Sequence, residues 1–176
     1  LTRFQAAESL FHVSGDMILR LKQTISDINS VYADCIITAA DFFTGGAFTL
    51  LGDSAGNTSL QIMNGDANHQ VTVSGDFNLD SQDAHNNMTT ILAHNTMLNV
   101  GGDINIHSIS GGVNKVYIGD HMYGPPTSIT AKHITMSGQG DNEIIFNNNM
   151  DADKPGTPGY LFSLPIEGDG RVIQQS

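Results

Sequence analysis

One block of sequence recurs along this chain, and it constrains the fold more than any other feature. Val13-Ser14-Gly15-Asp16-Met17-Ile18-Leu19 resembles Val73-Ser74-Gly75-Asp76-Phe77-Asn78-Leu79, and both resemble Val100-Gly101-Gly102-Asp103-Ile104-Asn105-Ile106. Thr44-Gly45-Gly46-Ala47-Phe48-Thr49-Leu50 is a looser copy, and Ala131-Lys132-His133-Ile134-Thr135-Met136 is looser still and one residue shorter. The anchor position falls at Met17, Phe48, Phe77, Ile104 and Ile134, at intervals of 27 to 31 residues. A period in that range marks a solenoid or another array of stacked units.

Within each copy the apolar residues form two period-2 pairs. They are Phe11/Val13 with Met17/Leu19, Val71/Val73 with Phe77/Leu79, Leu98/Val100 with Ile104/Ile106, and Ile129/Ala131 with Ile134/Met136. In the second copy Thr44 replaces an apolar residue beside Phe42, Phe48 and Leu50. Alternation of this kind describes a strand with one buried face. The Ser-Gly or Gly-Gly between the pairs suits a corner where a Cβ would clash. A third strand follows at 58–62, 88–92, 115–118 and 143–146, and Asn57, Asn87, Asn114 and Asn142 stand just before it. Those asparagines read most plainly as surface turns, with a ladder inside the stack as the alternative.

The expected fold is therefore all-β: a right-handed parallel β-helix (solenoid) of about five to six coils. Each coil carries three short strands and three turns. One coil cannot bury its apolar face alone, and stacking at about 4.8 Å per coil pairs each strand with its copies above and below. A β-sandwich does not require copied blocks, and a propeller blade needs a longer period. Ala6 to Ile28 also fits an amphipathic helix, but Gly15 and the copied Val-Ser-Gly-Asp favour strand. Residues 147–159, rich in Asn, Pro and Gly, read as a protruding loop, and the alternation of Tyr160, Phe162, Leu164 and Ile166 begins a sixth coil. Residues 1–176 are expected to form one β-helix segment cut from a longer chain.

Composition narrows the partners. Seven Lys and Arg stand against 18 Asp and Glu, a formal net charge of −11, which disfavours nucleic acid. No stretch has the length and hydrophobicity of a transmembrane helix, and no signal peptide is visible. The single cysteine, Cys35, excludes an internal disulfide and a Cys-based zinc site, and its place in Cys35-Ile36-Ile37 suits a small core residue.

The block at 100–106, its copies and the tail at 159–170 resemble the passenger region of bacterial autotransporters, the type V secreted proteins. That resemblance implies export, display at the cell surface, and a chain continuing into further coils.

Two sets of residues invite a chemical reading. Asp16, Asp76 and Asp103 share one place in their coils, so Asp76 and Asp103 lie about 5 Å apart on neighbouring coils. Such a pair can hold Ca²⁺ or act as acid and base on a glycosidic bond. The plainer reading is a polar Gly-Asp turn, because Ala47 and His133 interrupt the column and no Lys or Arg accompanies it. The histidines at 12, 69, 85, 94, 107, 121 and 133 show no metal-ligand spacing, so neither a metal nor a cofactor is expected. Nucleophile elbows, phosphate loops and dinucleotide fingerprints are absent.

The expected function is adhesion or self-association at a bacterial surface, without enzymatic activity. The partner is then a host glycan, a matrix protein or a like molecule, and the outcome is aggregation or biofilm. The binding candidates are Asp76, Asp103, Asn57, Asn87, Asn114 and Asn142 on the coils, with Asp151, Asp153 and Lys154 in the loop. A polysaccharide-active enzyme using Asp76 and Asp103 is the first alternative, and an inert stalk is the second.

Overall fold

The structure, a computed structural model, describes residues 2–7, 10–20, 32–38, 41–62, 69–93, 96–119, 126–147 and 163–175. Every regular element among them is a strand. After β1 (Thr2–Ala7) come β2 (Phe11–Val13), β3 (Met17–Arg20) and β4 (Tyr32–Thr38). The next coil is β5 (Phe42–Thr44), β6 (Phe48–Gly52) and β7 (Gly56–Ile62), followed by β8 (His69–Val73), β9 (Phe77–Ser81) and β10 (Asn86–Leu92). Then come β11 (Thr96–Val100), β12 (Ile104–Ser108) and β13 (Val113–Ile118), and β14 (Ser128–Thr130), β15 (Ile134–Gly138) and β16 (Asp141–Asn147). Two strands close the described chain, β17 (Ile166–Gly168) and β18 (Arg171–Gln175).

Successive strands never pair with each other; each pairs in parallel with its copy one coil away. Sheet A runs β1-β4-β7-β10-β13-β16-β18, sheet B runs β14-β11-β8-β5-β2, and sheet C runs β17-β15-β12-β9-β6-β3. This is a three-sided parallel β-solenoid. The repeat anchors stand in direct register: Met17 on Phe48, Phe48 on Phe77, Phe77 on Ile104, and Ile104 on Ile134.

Four turns, from β5 to β16, carry the fully buried core, slightly fewer than the five to six coils expected. At the N-terminal end Phe11, Val13, Met17 and Leu19 are only half buried, and at the C-terminal end Ile166 is as well. Among the described residues the end strands have a neighbour on one side only, so their apolar faces stay partly exposed. The N-terminal segment forms strands at Thr2–Ala7, Phe11–Val13 and Met17–Arg20, and residues 8–9 and 21–31 lie outside the described set.

Like residues stack on like along the axis. Phe48 and Phe77 are stacked at 5.3 Å between ring centroids and 12° between planes, and Phe11 and Phe42 at 5.0 Å and 7°. Phe42 meets Phe48 edge-on within its coil at 5.8 Å. Offset and edge-on pairs of this kind add to the burial term. Thr44, the polar intruder in this core, is fully buried, and its hydroxyl donates to the Gly46 carbonyl at 3.2 Å. Cys35 is in register with Leu60.

The third strand of each coil begins earlier than the apolar pattern indicates. Asn57, Asn87, Asn114 and Asn142 are therefore strand residues, not turn residues. Of the sixth-coil residues, 160–162 lie outside the described set, and pairing resumes at Ile166 on Ile134.

Candidate functional site

The Asp column sits at the corner between sheets B and C, where the chain turns from β8 to β9 and from β11 to β12. Asp76 uses one carboxylate oxygen to accept the backbone N–H of Asp103 at 2.9 Å, across 27 residues. Asp16 accepts the N–H of Ala47 in the same way at 2.8 Å. Each carboxylate therefore clips its corner to the coil above. Gly46 and Gly102 pass directly over these carboxylates, and a Cβ on Gly102 would overlap Asp76 Oδ1. The glycines at this corner serve close approach, since none of those at 45, 46, 75, 101 or 102 has a left-handed backbone. Asp103 faces His133, with Nδ1 at 3.2 Å from Oδ1, where the next coil replaces Asp by His.

The corner between sheets C and A is held from inside. Asn86, 2% exposed, takes the Ser81 hydroxyl on its Oδ1 at 3.0 Å, and its Nδ2 donates to the Ser54 carbonyl at 3.1 Å and the Thr58 hydroxyl at 3.0 Å. Asn114, fully buried, donates to the carbonyls of Leu79 at 2.8 Å and His107 at 3.2 Å. Asn142 accepts from Ser108 at 2.9 Å and donates to the Ser137 carbonyl at 2.8 Å. The Leu79 carbonyl and the Ser81, Thr58 and Ser108 hydroxyls are buried, and groups so placed need a protein partner.

The predicted binding residues thus divide. Asp76 and Asp103 are brought together, but by a carboxylate–amide bond. Asn57 and Asn87 face outward in register, with Asn87 Nδ2 donating to Asn57 Oδ1 at 3.3 Å. Asn114 and Asn142 point into the core and are closed off from an external ligand. Asp151, Asp153 and Lys154 lie outside the described residues, as do the histidines at 94 and 121. Among the described residues no three His, Cys, Asp or Glu side chains gather to hold a metal ion.

A feature that sequence reasoning missed lies on the outer face of sheet C. Thr49, Asn78, Asn105 and Thr135 occupy one outward column on successive coils. Asn78 Nδ2 donates to Thr49 Oγ1 at 3.1 Å, Asn105 Nδ2 to Asn78 Oδ1 at 2.9 Å, and the Thr135 hydroxyl to Asn105 Oδ1. The neighbouring column holds Leu51, Asp80, His107 and Ser137. His107 Nδ1 lies 2.8 Å from Asp80 Oδ1, and Gln82 Nε2 bridges both oxygens of Asp80 at 2.8 and 2.9 Å. Between the columns Thr49, Asn78, Leu79, Asp80, Asn105 and His107 line an open cleft of about 190 Å³. Aligning the repeat copies beyond their apolar positions would have found it, since Asp80 and His107 both lie three residues after an anchor.

Sheet A carries a second outward ion group. Glu143, only 4% exposed, pairs with Lys115 Nζ at 3.3 Å on one side and with Arg171 on the other, all three in register.

No family model, curated protein or solved structure significantly matches the chain. Among the described residues no helix is long and apolar enough to cross a membrane.

Proposed function

We propose that this chain is a binding module of a secreted or surface-displayed bacterial rod. It acts in adhesion or self-association, toward a glycan, a matrix protein or a like molecule. The observation that carries the reading is the outward ladder of sheet C. Four neutral polar side chains stand in register on four coils and are hydrogen-bonded into a fixed array. A rigid repeated face makes many individually weak contacts at once, and their sum is large when the partner repeats too. The autotransporter-like repeat blocks support export and display of such a rod.

The enzymatic alternative stood on Asp76 and Asp103 as an acid–base pair. The Asp76 carboxylate is engaged with a backbone amide, so this pair gives the alternative little support. The stalk reading differs from the binding reading only in what the outer faces touch.

The test is aggregation and matrix attachment by cells displaying the parent protein with and without residues 1–176. Loss of clumping or attachment at unchanged display level supports the binding module. Unchanged behaviour makes the segment a stalk.

A further inference from the structure

The geometry points to the cleft between the Asn78–Asn105 and Asp80–His107 columns as a binding site for a neutral polysaccharide, read through its hydroxyl groups. This rests on the reading of the chain as a binding module and names the ligand class.

The hydrogen-bond inventory of the ladder carries the argument. A primary amide has two N–H donors and two acceptor lone pairs. Asn78 uses one donor on Thr49 and one lone pair on Asn105, and Asn105 uses one donor on Asn78 and one lone pair on Thr135. Each amide therefore keeps one donor and one acceptor unused, and both residues are partly exposed to solvent. A sugar hydroxyl is itself a donor and an acceptor, so a pair of neighbouring hydroxyls satisfies such an amide in both senses. Sheet pairing spaces the two amides by about 4.8 Å, close to the advance of one pyranose along an extended glycan chain. Successive coils then read successive sugar residues.

The second column fixes the cleft's far wall. Asp80 is held by His107 and by Gln82 on both oxygens, so it presents its remaining lone pair from a set position. With three contacts already made, the carboxylate keeps one acceptor site, on Oδ2, and a sugar hydroxyl donating to it forms a charge-assisted hydrogen bond. With Nδ1 turned to Asp80, the His107 ring keeps Nε2 for the ligand. The ladder bonds and the strand backbone set this geometry before binding, which limits the ordering cost.

Charge selects against acidic glycans. Among the described residues the cleft lining contains Asp80 and no Lys or Arg. Arg20, the cation in the same column two coils away, is paired with Asp53 at 3.1 Å. The net charge of −11 opposes polyanions over the whole surface. The cleft holds one ring against the Asp80–His107 wall while the neighbouring amide meets the next ring, so few contacts form and affinity for a single glycan chain is low.

The test follows the side-chain amide signals of Asn78 and Asn105 and the imidazole of His107 by NMR. The 176-residue chain is titrated with glucose-, mannose- and galactose-based neutral hexasaccharides and with hexagalacturonate. The expected result is a saturable shift of all three groups with at least one neutral hexasaccharide. Hexagalacturonate should bind at least tenfold more weakly, and Asn105→Leu should abolish the response while keeping a dispersed spectrum. If Asn105→Leu loses its fold, Thr49→Val at the cleft edge is used, with at least a fivefold weakening expected. No saturable shift with any neutral hexasaccharide, shifts confined to other residues, or equal response to hexagalacturonate overturns the site. Displaying cells separate the two claims. Attachment that needs residues 1–176 but survives Asn105→Leu keeps the binding module and rejects the cleft. Hexasaccharide binding by a chain whose deletion leaves attachment intact keeps the cleft and rejects the adhesive role.

Discussion

The two described corners of the solenoid solve one problem in opposite ways. At the B–C corner the chain turns on glycine, and an Asp carboxylate on the outside clips the turn to the next coil. At the C–A corner an Asn inside the core partners hydroxyls and a carbonyl that the turn leaves buried. Water can replace an outer clip but not an inner one. The inner corner should therefore tolerate substitution far less, although the outer corner has the more conspicuous sequence.

The largest expected effect comes from breaking the inner corner. Asn86→Ala leaves the Ser81 hydroxyl, the Thr58 hydroxyl and the Ser54 carbonyl without their partner, and should cost about 3 kcal/mol in urea unfolding followed by circular dichroism. A cost near that of an exposed site would mean that water reaches this corner.

Next comes crowding of the outer corner. Gly102→Ala drives a methyl into the Asp76 carboxylate and the Gly75 backbone, and should cost about 2 kcal/mol. Gly15→Ala occupies the equivalent place in the first coil, where nothing lies within 4 Å, and should change stability by less than about 0.5 kcal/mol. Equal costs at the two glycines would remove the close-approach explanation of the repeat.

Removal of the clip itself is milder. Asp76→Ala gives up one hydrogen bond to a charged acceptor at an exposed site, for about 1 kcal/mol, and Asp76→Asn, which keeps an acceptor oxygen, should recover most of it. The smallest effect is expected at the exposed Asn57–Asn87 pair, where Asn87→Ala should stay within about 0.5 kcal/mol.

The same contrast explains what could be read from sequence. The B–C corner was legible because Gly and Asp recur at a fixed offset from Phe77 and Ile104, so the block, the register and the solenoid followed together. The C–A corner was not, because its length changes. Asn86 lies five residues after Ser81, whereas Asn114 lies six after Ser108, the register partner of Ser81. Asn114 thus falls level with Met88 instead of Asn86, while Asn57 and Asn87 fall one step away and face outward. A one-residue difference flips the face of a strand residue, so asparagines that look equivalent in sequence take opposite roles. The sheet C cleft was hidden for a related reason. Its residues occupy the outward positions between the apolar anchors, where the repeat pattern carries no hydrophobic signal. The expected coil count is slightly high because the apolar pattern persists into end coils that, among the described residues, have one neighbour to bury it.

The central structural claim is that the Asp column is a corner clip. The most direct test is amide hydrogen exchange of Asp103 and Ala47 by NMR in the native chain and in Asp76→Ala. The clip predicts that both amides are protected in the native chain. In the variant, protection of Asp103 falls at least tenfold while Ala47, held by Asp16, is unchanged. An Asp103 amide that exchanges freely in the native chain, or equally slowly in both proteins, would contradict it and return Asp76 and Asp103 to consideration as a chemical pair.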